Sequence, residues 1–463
     1  MNRLFEFSSF LDRVAIVTDC GQRMTYLQLQ HDADKVKGFL EGKKLVFCLC
    51  TNTTASIVGY VAMIQQGTAI VLLDAKKDES LLSQLLTIYN PNYVWSPSEM
   101  VLGNAVYDYE GYTLYERSKE EHEIHPELSL LLTTSGSTGS PKLVRLTERN
   151  LTSNAESIAE YLHIDEHERP VTTLPMYYSY GMSVINSHLI KGATILLTDM
   201  PVMQKEFWKF VKEERATSIA GVPYTYEMLR RLRFMRMNLP ELKTMIQAGG
   251  KLNAEIAKEY IDWAKANDKE FVVMYGQTEA APRISYLPFD NAQEKYASIG
   301  VAIPGGKLCL HDANDKEIDE INVDGELVYI GDNVCMGYAT APEDLALGDE
   351  NHGILHTGDV ARKDADGYYY ITGRMKRFVK IWGNRVNLDA IEQLVKPITA
   401  DCAVIGVDDK ITVFIIDDSL IQQVRSFLSQ KTGLNAQAFE VKTITEIPKK
   451  SSGKTDYAML AQI

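Results

Sequence analysis

The sequence predicts an α/β fold. A large N-terminal domain of layered, mainly parallel sheets is extended by a small antiparallel β barrel or sheet, and a small α+β C-terminal domain follows. Three observations carry this reading. From about Leu45, short apolar runs with strand character alternate with segments of helical period. After about Ser298, turn signals crowd between short runs. Beyond Gly373 the chain returns to a mixed pattern of helices and strands. A length of 463 residues suits about three domain-sized units with ample cores.

Taken in order, VFCLC is strand-like, SIVGYVAMIQQ helical, AIVLLD strand-like, SLLSQLLTIY helical and NYVWS strand-like, the rhythm of helices covering a parallel sheet. Cys48 and Cys50 alternate with Leu49 and so share one strand face, which reads as core packing rather than a metal site. The six cysteines are otherwise scattered and suggest no disulfides. LSLLL, Leu128 to Leu132, reads as a buried strand that runs into TTSGSTGSPK. Helix RNLTSNAESIAEYL, strand VTTLP, helix SVINSHLIKG, strand TILLT and helix KEFWKFVKEE come next. Strand SIAGVP, a helix around Tyr226 to Arg233, strand TMIQAGG, helix AEIAKEYIDWAKA and strand FVVMYGQTE complete the series. Its last three strands each enter a glycine-containing loop: GVP, AGG and YGQTE. Ligands of open α/β sheets sit at the carboxyl ends of strands, so these loops and TTSGSTGSPK are expected to converge on one crevice.

Between about 298 and 373, DANDKEID, VDGE and DADG separate ELVYIG, ILHTG and YYYITG, the pattern of antiparallel hairpins. HDANDKEID and KDADG lack the twelve-residue ligand spacing of a calcium loop and read as turns. RFVKIWGNRV, helix LDAIEQLV, strands AVIGV and ITVFII, and helix LIQQVRSFLSQ make up the last unit.

Bulk properties exclude several function classes. Apolar content of 45% and charged content of 24% describe an ordinary globular protein. A net charge of −14 argues against nucleic acid as a partner. Glu6, Asp12 and Arg13 interrupt what a signal peptide would need as an apolar core, and Gln65 and Gln66 break the best membrane-span candidate. A cytoplasmic protein without a membrane span is expected.

The loop TTSGSTGSPK has a composition suited to an anion. Glycines allow close approach of backbone amides, Ser and Thr add hydroxyl donors, and Lys142 adds charge. It is not the usual ATPase loop, since Pro141 stands five positions after Gly136 and Leu143 follows the lysine. Taken alone, it reads either as a surface loop or as an anion cradle.

Four stretches in order, TTSGSTGSPK, YGQTEA from Tyr275, HTGDVARKDADGYYYITGRMKRFVKIWGNRV from His356 and IPKKSSGKTDY from Ile447, resemble the adenylate-forming superfamily. That group includes acyl-CoA synthetases, nonribosomal peptide adenylation domains and luciferases, and the character here is closest to the AMP-forming acyl-CoA synthetases. The likeness runs from about Leu128 to the end of the chain. It implies that a carboxylate attacks the α-phosphate of Mg-ATP to give an acyl-adenylate, and that a pantetheine thiol then takes the acyl group. On the resemblance, Thr134, Ser135, Gly136, Ser137, Thr138 and Gly139 wrap the β- and γ-phosphates, and Lys142 adds charge, although Leu143 stands where family members usually have Gly. Gly249 and Gly250 form one adenine wall. Tyr275 and Gly276 form the other, with Thr278 at the α-phosphate and Glu279 as the Mg²⁺ ligand. Asp359 would hold the ribose hydroxyls and Arg374 would reinforce ribose or phosphate contacts.

The resemblance further implies residues 1–373 as the ATP- and acid-binding domain, with its β-rich part at about 298–373, a hinge at 374–376 and a mobile domain at 377–463. Lys376 stands at the hinge. Lys380 and Gly383 lie on the strand that enters the site in the thioester-forming pose, and Lys454 reaches the α-phosphate during adenylation. LPMYYSYGMSV, Leu174 to Val184, resembles the substrate wall, with Tyr178, Tyr180, Gly181, Tyr224, Met274 and Ala280 lining the acid pocket. Peptide-synthetase domains place an Asp there for the α-ammonium group. Tyr180-Gly181 offers none, so a small plain carboxylic acid is expected rather than an amino acid. Many acyl-CoA synthetases have His where Tyr177 and Tyr178 stand. The acceptor is CoA or the phosphopantetheine of a separate acyl carrier protein. A serine hydrolase reading finds S-x-x-K at Ser451 to Lys454 and K-T-G at Lys431 to Gly433, but in reversed order.

Overall fold

The computed structural model describes residues 4–76, 79–133, 142–382, 384–449 and 455–463. The chain divides into two compact units. Most of the chain up to Lys307, together with Tyr329–Leu355, forms the first; Leu308–Val328 and His356–Ile463 form most of the second.

The first unit is built on two sheets. An eight-stranded sheet holds, side by side, Gly337–Ala339, Leu143–Thr147, Leu128–Thr133, Ala69–Asp74, Leu45–Cys50, Tyr93–Pro97, Tyr112–Glu116 and Asn104–Tyr109. Its centre is parallel, with Cys48 beside Leu72 and Trp95. Every residue of Leu45–Cys50 is buried. Val46, Cys48 and Cys50 pack into one apolar cluster, and Leu45, Phe47 and Leu49 into another. A strand covered on both faces has no polar alternation to show, which is why VFCLC is an unbroken apolar run. The thiols of Cys48 and Cys50 are free and buried, as core packing requires.

The nine-stranded sheet has the order Val301–Ala302, Arg283–Tyr286, Glu270–Gly276, Thr244–Gln247, Ser218–Gly221, Pro170–Val171, Ile195–Leu197, Val14–Thr18 and Arg23–Thr25. Gly221, Gln247 and Val273 stand in one register across three neighbouring parallel strands. The loops GVP, AGG and YGQTE therefore leave the same edge of the sheet. The strands that flank TTSGSTGSPK in sequence, Leu128–Thr133 and Leu143–Thr147, are antiparallel neighbours in the other sheet, with Thr133 opposite Leu143. Leu143 is fully buried, so that position serves the core. The N-terminal strand Val14–Thr18 runs parallel to Ile195–Leu197.

Two helices matter for the site. Glu148–Tyr161 starts from a capping box made by Thr147 and Asn150. Ser179–Leu189 is buried at every residue, and it begins earlier than the periodicity of SVINSHLIKG suggests, so that Tyr180 and Gly181 fall in its first turn. Between 307 and 374 the expected small antiparallel β barrel is, among the described residues, an open four-stranded sheet, ordered Lys307–His311, Gly325–Ile330, Ile354–Lys363 and Tyr369–Arg374. Closure would need the first and last of these strands to pair, and they do not.

The second unit continues with the hairpin Phe378–Ile381 and Asn384–Asn387, the helix Leu388–Val395 and a three-stranded sheet of Cys402–Val407, Lys410–Ile415 and Phe439–Thr443. The helix Ile421–Thr432 packs on this sheet through Val424 and Leu428. The last helix, Tyr457–Leu460, is held by a buried ionic knot. Tyr457 donates to Glu392 at 2.9 Å, and the Arg377 guanidinium lies 3.9 Å over the Tyr457 ring. Burial raises the Glu392 carboxyl above its ordinary range, opposed by the charge of Arg377. Among the described residues, no helix is long and apolar enough to cross a membrane.

Candidate active site

The strand Glu270–Gly276 delivers Tyr275 and Gly276 to the edge where the glycine loops emerge, and a single 3-10 turn, Thr278–Ala280, follows. Gly276 is dictated by its neighbour: a Cβ there would lie 1.9 Å from the carbonyl oxygen of Pro282. The turn is pinned from both ends. The backbone N–H of Cys335 donates to the Glu279 carbonyl at 2.8 Å, and the Asn333 amide donates to the Ala280 carbonyl at 2.6 Å. Thr278 and Ser179 share a hydroxyl contact of 3.3 Å, which ties the turn to the start of the helix Ser179–Leu189.

Glu279 has a partner that sequence reasoning missed. The Tyr338 hydroxyl donates to its Oε1 at 2.8 Å. Burial first, then the Glu279 charge, push ionisation of Tyr338 far above the ordinary tyrosine range, so it remains a donor. The other Glu279 oxygen accepts no hydrogen bond among the described residues, and it is the kind of hard donor that magnesium takes. Lys142, at the foot of the Ser/Gly loop, places its ammonium 5.5 Å from the centre of the Tyr338 ring. Tyr338 thus links the two motifs across the two sheets.

Arg145 positions Tyr338. Wholly buried, it donates to the carbonyls of Tyr338 at 3.1 Å, Met336 at 3.2 Å and Gly348 at 3.2 Å, and it pairs with Glu350. Nothing in LVRLT distinguishes this arginine from a surface residue, because its partners lie about two hundred residues away.

Gly249 and Gly250 stand at the end of the strand Thr244–Gln247. Gly249 has φ +80°, the left-handed region, and a Cβ there would come 2.7 Å from the Tyr178 hydroxyl and 3.1 Å from Val222. Gln247 holds the turn by donating to the Gly250 carbonyl at 2.9 Å. A bare backbone surface beside the half-buried Tyr275 fits a flat heterocycle such as adenine.

The structure gathers most of the expected acid-pocket residues. Tyr178, Tyr180 and Met274 share an apolar cluster with Leu174, Val184 and Ile246. The Tyr180 hydroxyl is tied to the Ile246 carbonyl at 2.7 Å, and Ala280 is buried beside Thr278. Gly181 has a steric reason of its own: a Cβ would sit 2.2 Å from the Pro175 carbonyl oxygen, so no Asp fits without a backbone shift. Tyr224 is 47% exposed and lies outside this cluster. Sequence reasoning also passed over Arg283, buried against Tyr180 with its guanidinium carbon 4.1 Å from the ring centre.

In the second unit, Asp359 and Arg374 face each other across two antiparallel strands and form an ion pair at 2.9 Å. Lys376 falls in the 3-10 turn Met375–Arg377, and Lys380 is exposed on the strand Phe378–Ile381. Thr134, Ser135, Gly136, Ser137, Thr138, Gly139, Gly383 and Lys454 lie outside the described residues.

Comparison with known proteins identifies the family. The profile of the family described as AMP-binding enzyme matches residues 7–339. A feruloyl-CoA synthase of Amycolatopsis sp is 32% identical over 289 residues, 61% of this chain and 57% of that protein. A long-chain-fatty-acid–CoA ligase of Escherichia coli O157:H7 is 30% identical over 364 residues, 73% of this chain and 62% of that protein. The matched region thus spans about three-fifths of the length of these curated relatives. Among solved structures, o-succinylbenzoate CoA synthetase from Bacillus subtilis, in complex with its acyl-adenylate intermediate, superposes with a TM-score of 0.81 at 18% identity, covering 98% of this chain and 96% of that one. ATP-bound MatB from Rhodopseudomonas palustris gives 0.79 at 21% identity, covering 99% and 97%. At these identities the likeness is one of fold.

Proposed function

Because this chain belongs to the AMP-binding enzyme family, we propose that it is an AMP-forming acid–thiol ligase of the cytoplasm, which joins a carboxylic acid to CoA at the expense of ATP. The observation that carries the reading is the Lys142–Tyr338–Glu279 line, which brings the foot of the Ser/Gly loop and the acidic turn to one place. The curated relatives, named as CoA synthases and ligases, support CoA as the acceptor.

In the first half-reaction, a carboxylate oxygen of the acid bonds to the α-phosphorus of ATP while the bond to the pyrophosphate oxygen breaks. Lys142 and the loop Thr134 to Gly139 would hold the phosphates, and Thr278 would donate to the α-phosphate. Glu279, oriented by Tyr338, would hold magnesium, which supplies positive charge against the developing phosphate charge. Gly249, Gly250, Tyr275 and Gly276 would enclose the adenine, with Asp359 and Arg374 at the ribose. Lys454 would neutralise the α-phosphate only in this pose. In the second half-reaction the thiolate sulfur attacks the acyl carbonyl and AMP leaves. Residues 374–376 would serve as the hinge between 1–373 and 377–463, and Gly383, beside Lys380, would leave room for the pantetheine arm.

The test is pyrophosphate release across a panel of carboxylic and α-amino acids, with no acceptor, with CoA and with a phosphopantetheinylated carrier protein. Acid-dependent release, with thioester formed on CoA, is expected. Release with amino acids alone, or thioester only on the carrier, would overturn the corresponding part.

A further inference from the structure

Building on the acid-activating reading above, we infer that the acid carries a second anionic group, a carboxylate remote from the one that is activated, and that Arg283 receives it. Among the described residues of the first unit, two arginines are wholly buried, and they are buried in different ways. Arg145 is saturated by four backbone carbonyls, those of Met336, Tyr338, Leu347 and Gly348, and by Glu350. Arg283, only 2% exposed, forms no ion pair with a carboxylate among the described residues, and its Nε has no hydrogen-bond acceptor. A buried guanidinium of the first kind is a structural staple. One of the second kind retains an unmet demand for negative charge.

Its neighbours meet that demand only in part: Tyr161 hydrogen-bonds the guanidinium, and Nε stays without an acceptor. The guanidinium lies over the Tyr180 ring at 4.1 Å, a cation–π contact that stabilises the charge without neutralising it. Burial pushes the hydroxyls of Tyr161 and Tyr180 upward, with Arg283 drawing both back only in part, so these rings stay neutral at physiological pH. Tyr161 reaches Met274, one of the acid-pocket residues, at 3.0 Å. The helix Glu148–Tyr161 adds one more unmet donor, the Ser157 hydroxyl, buried and unbonded. The Asn154 amide donates to the Arg283 carbonyl at 3.2 Å, which places that helix face beside the arginine. The fold thus sets a buried cation against the apolar cluster of Tyr180 and Met274, with an unbonded hydroxyl on the neighbouring helix. A carboxylate matches the planar fork of the guanidinium, and Ser157 can donate to it as well. A purely aliphatic tail would leave the Arg283 Nε without an acceptor.

The experiment compares kcat/KM for matched acids with saturating ATP and CoA: straight-chain monocarboxylates against α,ω-dicarboxylates of equal length, and benzoates with and without a second carboxyl. The best diacid is expected to exceed its matched monoacid by about 10²-fold or more. Arg283→Met should collapse or invert that ratio, and Arg283→Lys should retain part of it. Thermal melting checks that the variants fold, and the wild-type ratio stands as a test should Arg283→Met not fold. A wild-type preference for monoacids, or an equal loss on both classes in Arg283→Met, would overturn the assignment; the second result would mark a structural or ATP-directed arginine. No release with any acid would instead bring down the underlying adenylation reading, and this proposal with it.

Discussion

Tyr338→Phe isolates one hydrogen bond in the candidate site. The substitution removes the hydroxyl that donates to Glu279 Oε1 at 2.8 Å, yet it keeps the ring that lies 5.5 Å from the Lys142 ammonium. A hydrogen bond to a charged acceptor contributes about 1.5–3 kcal/mol. Tyr338 is 40% exposed, so water can partly replace the phenol, and the lower figure applies: about 1.5 kcal/mol, or roughly tenfold. Because burial and the Glu279 charge keep the phenol protonated, the loss should be the same throughout the neutral pH range. The assay is pyrophosphate release at varied magnesium. Tyr338→Phe should lower kcat/KM about tenfold and raise the magnesium requirement, with the deficit partly restored by excess magnesium. Glu279→Gln should fall further, since it removes the charge itself. In the double variant the tyrosine's effect should vanish, because a donor with no carboxylate to orient has nothing left to do. If Tyr338→Phe behaves as wild type, or costs a further tenfold in the Glu279→Gln background, the linkage has no functional meaning.

Two further predictions follow from other parts of the chain. Lys454→Ala should lose adenylation by about 10²–10³-fold, some 3–4 kcal/mol, yet still form thioester from synthetic acyl-adenylate and CoA. Gly383→Leu should do the reverse, and equal failure of both folded variants in both assays would remove the two-pose mechanism. His188, buried with its Nδ1 2.8 Å from the Val184 carbonyl, has its pKa lowered to about 4 by burial. A depressed folded-state pKa means stability that is present above about 6.5 and lost as pH falls towards 4, amounting to about 3 kcal/mol at pH 4. Urea titrations of wild type and His188→Gln at pH 7 and pH 4.5 check this: the wild type should lose more stability between the two, and parallel losses would refute it.

Much of this protein is written locally. A strand buried on both faces must be apolar at every position, so LVFCLC and AIVLLD declare themselves, as do helices with an apolar stripe and a capping box. The glycine loops at strand ends are equally legible, because backbone geometry at a turn demands particular residues over three or four positions. What tertiary structure alone decided is whatever depends on partners far away in the chain. Tyr338 meets Glu279 across fifty-nine positions, and Arg145 meets Glu350 across two hundred and five. Val14–Thr18 finds its neighbour at Ile195–Leu197, and no periodicity records such a pairing. Gly181 shows the same limit from another side. In sequence it reads as a missing Asp, while in the fold it is required by the Pro175 carbonyl 2.2 Å from where a Cβ would stand. Arg283, in the strand RISY, looks like a residue turned to solvent. Only packing against Tyr180, Tyr161 and the helix Glu148–Tyr161 makes it a buried charge, because burial is a property of everything that surrounds a side chain and not of the residues beside it in the chain.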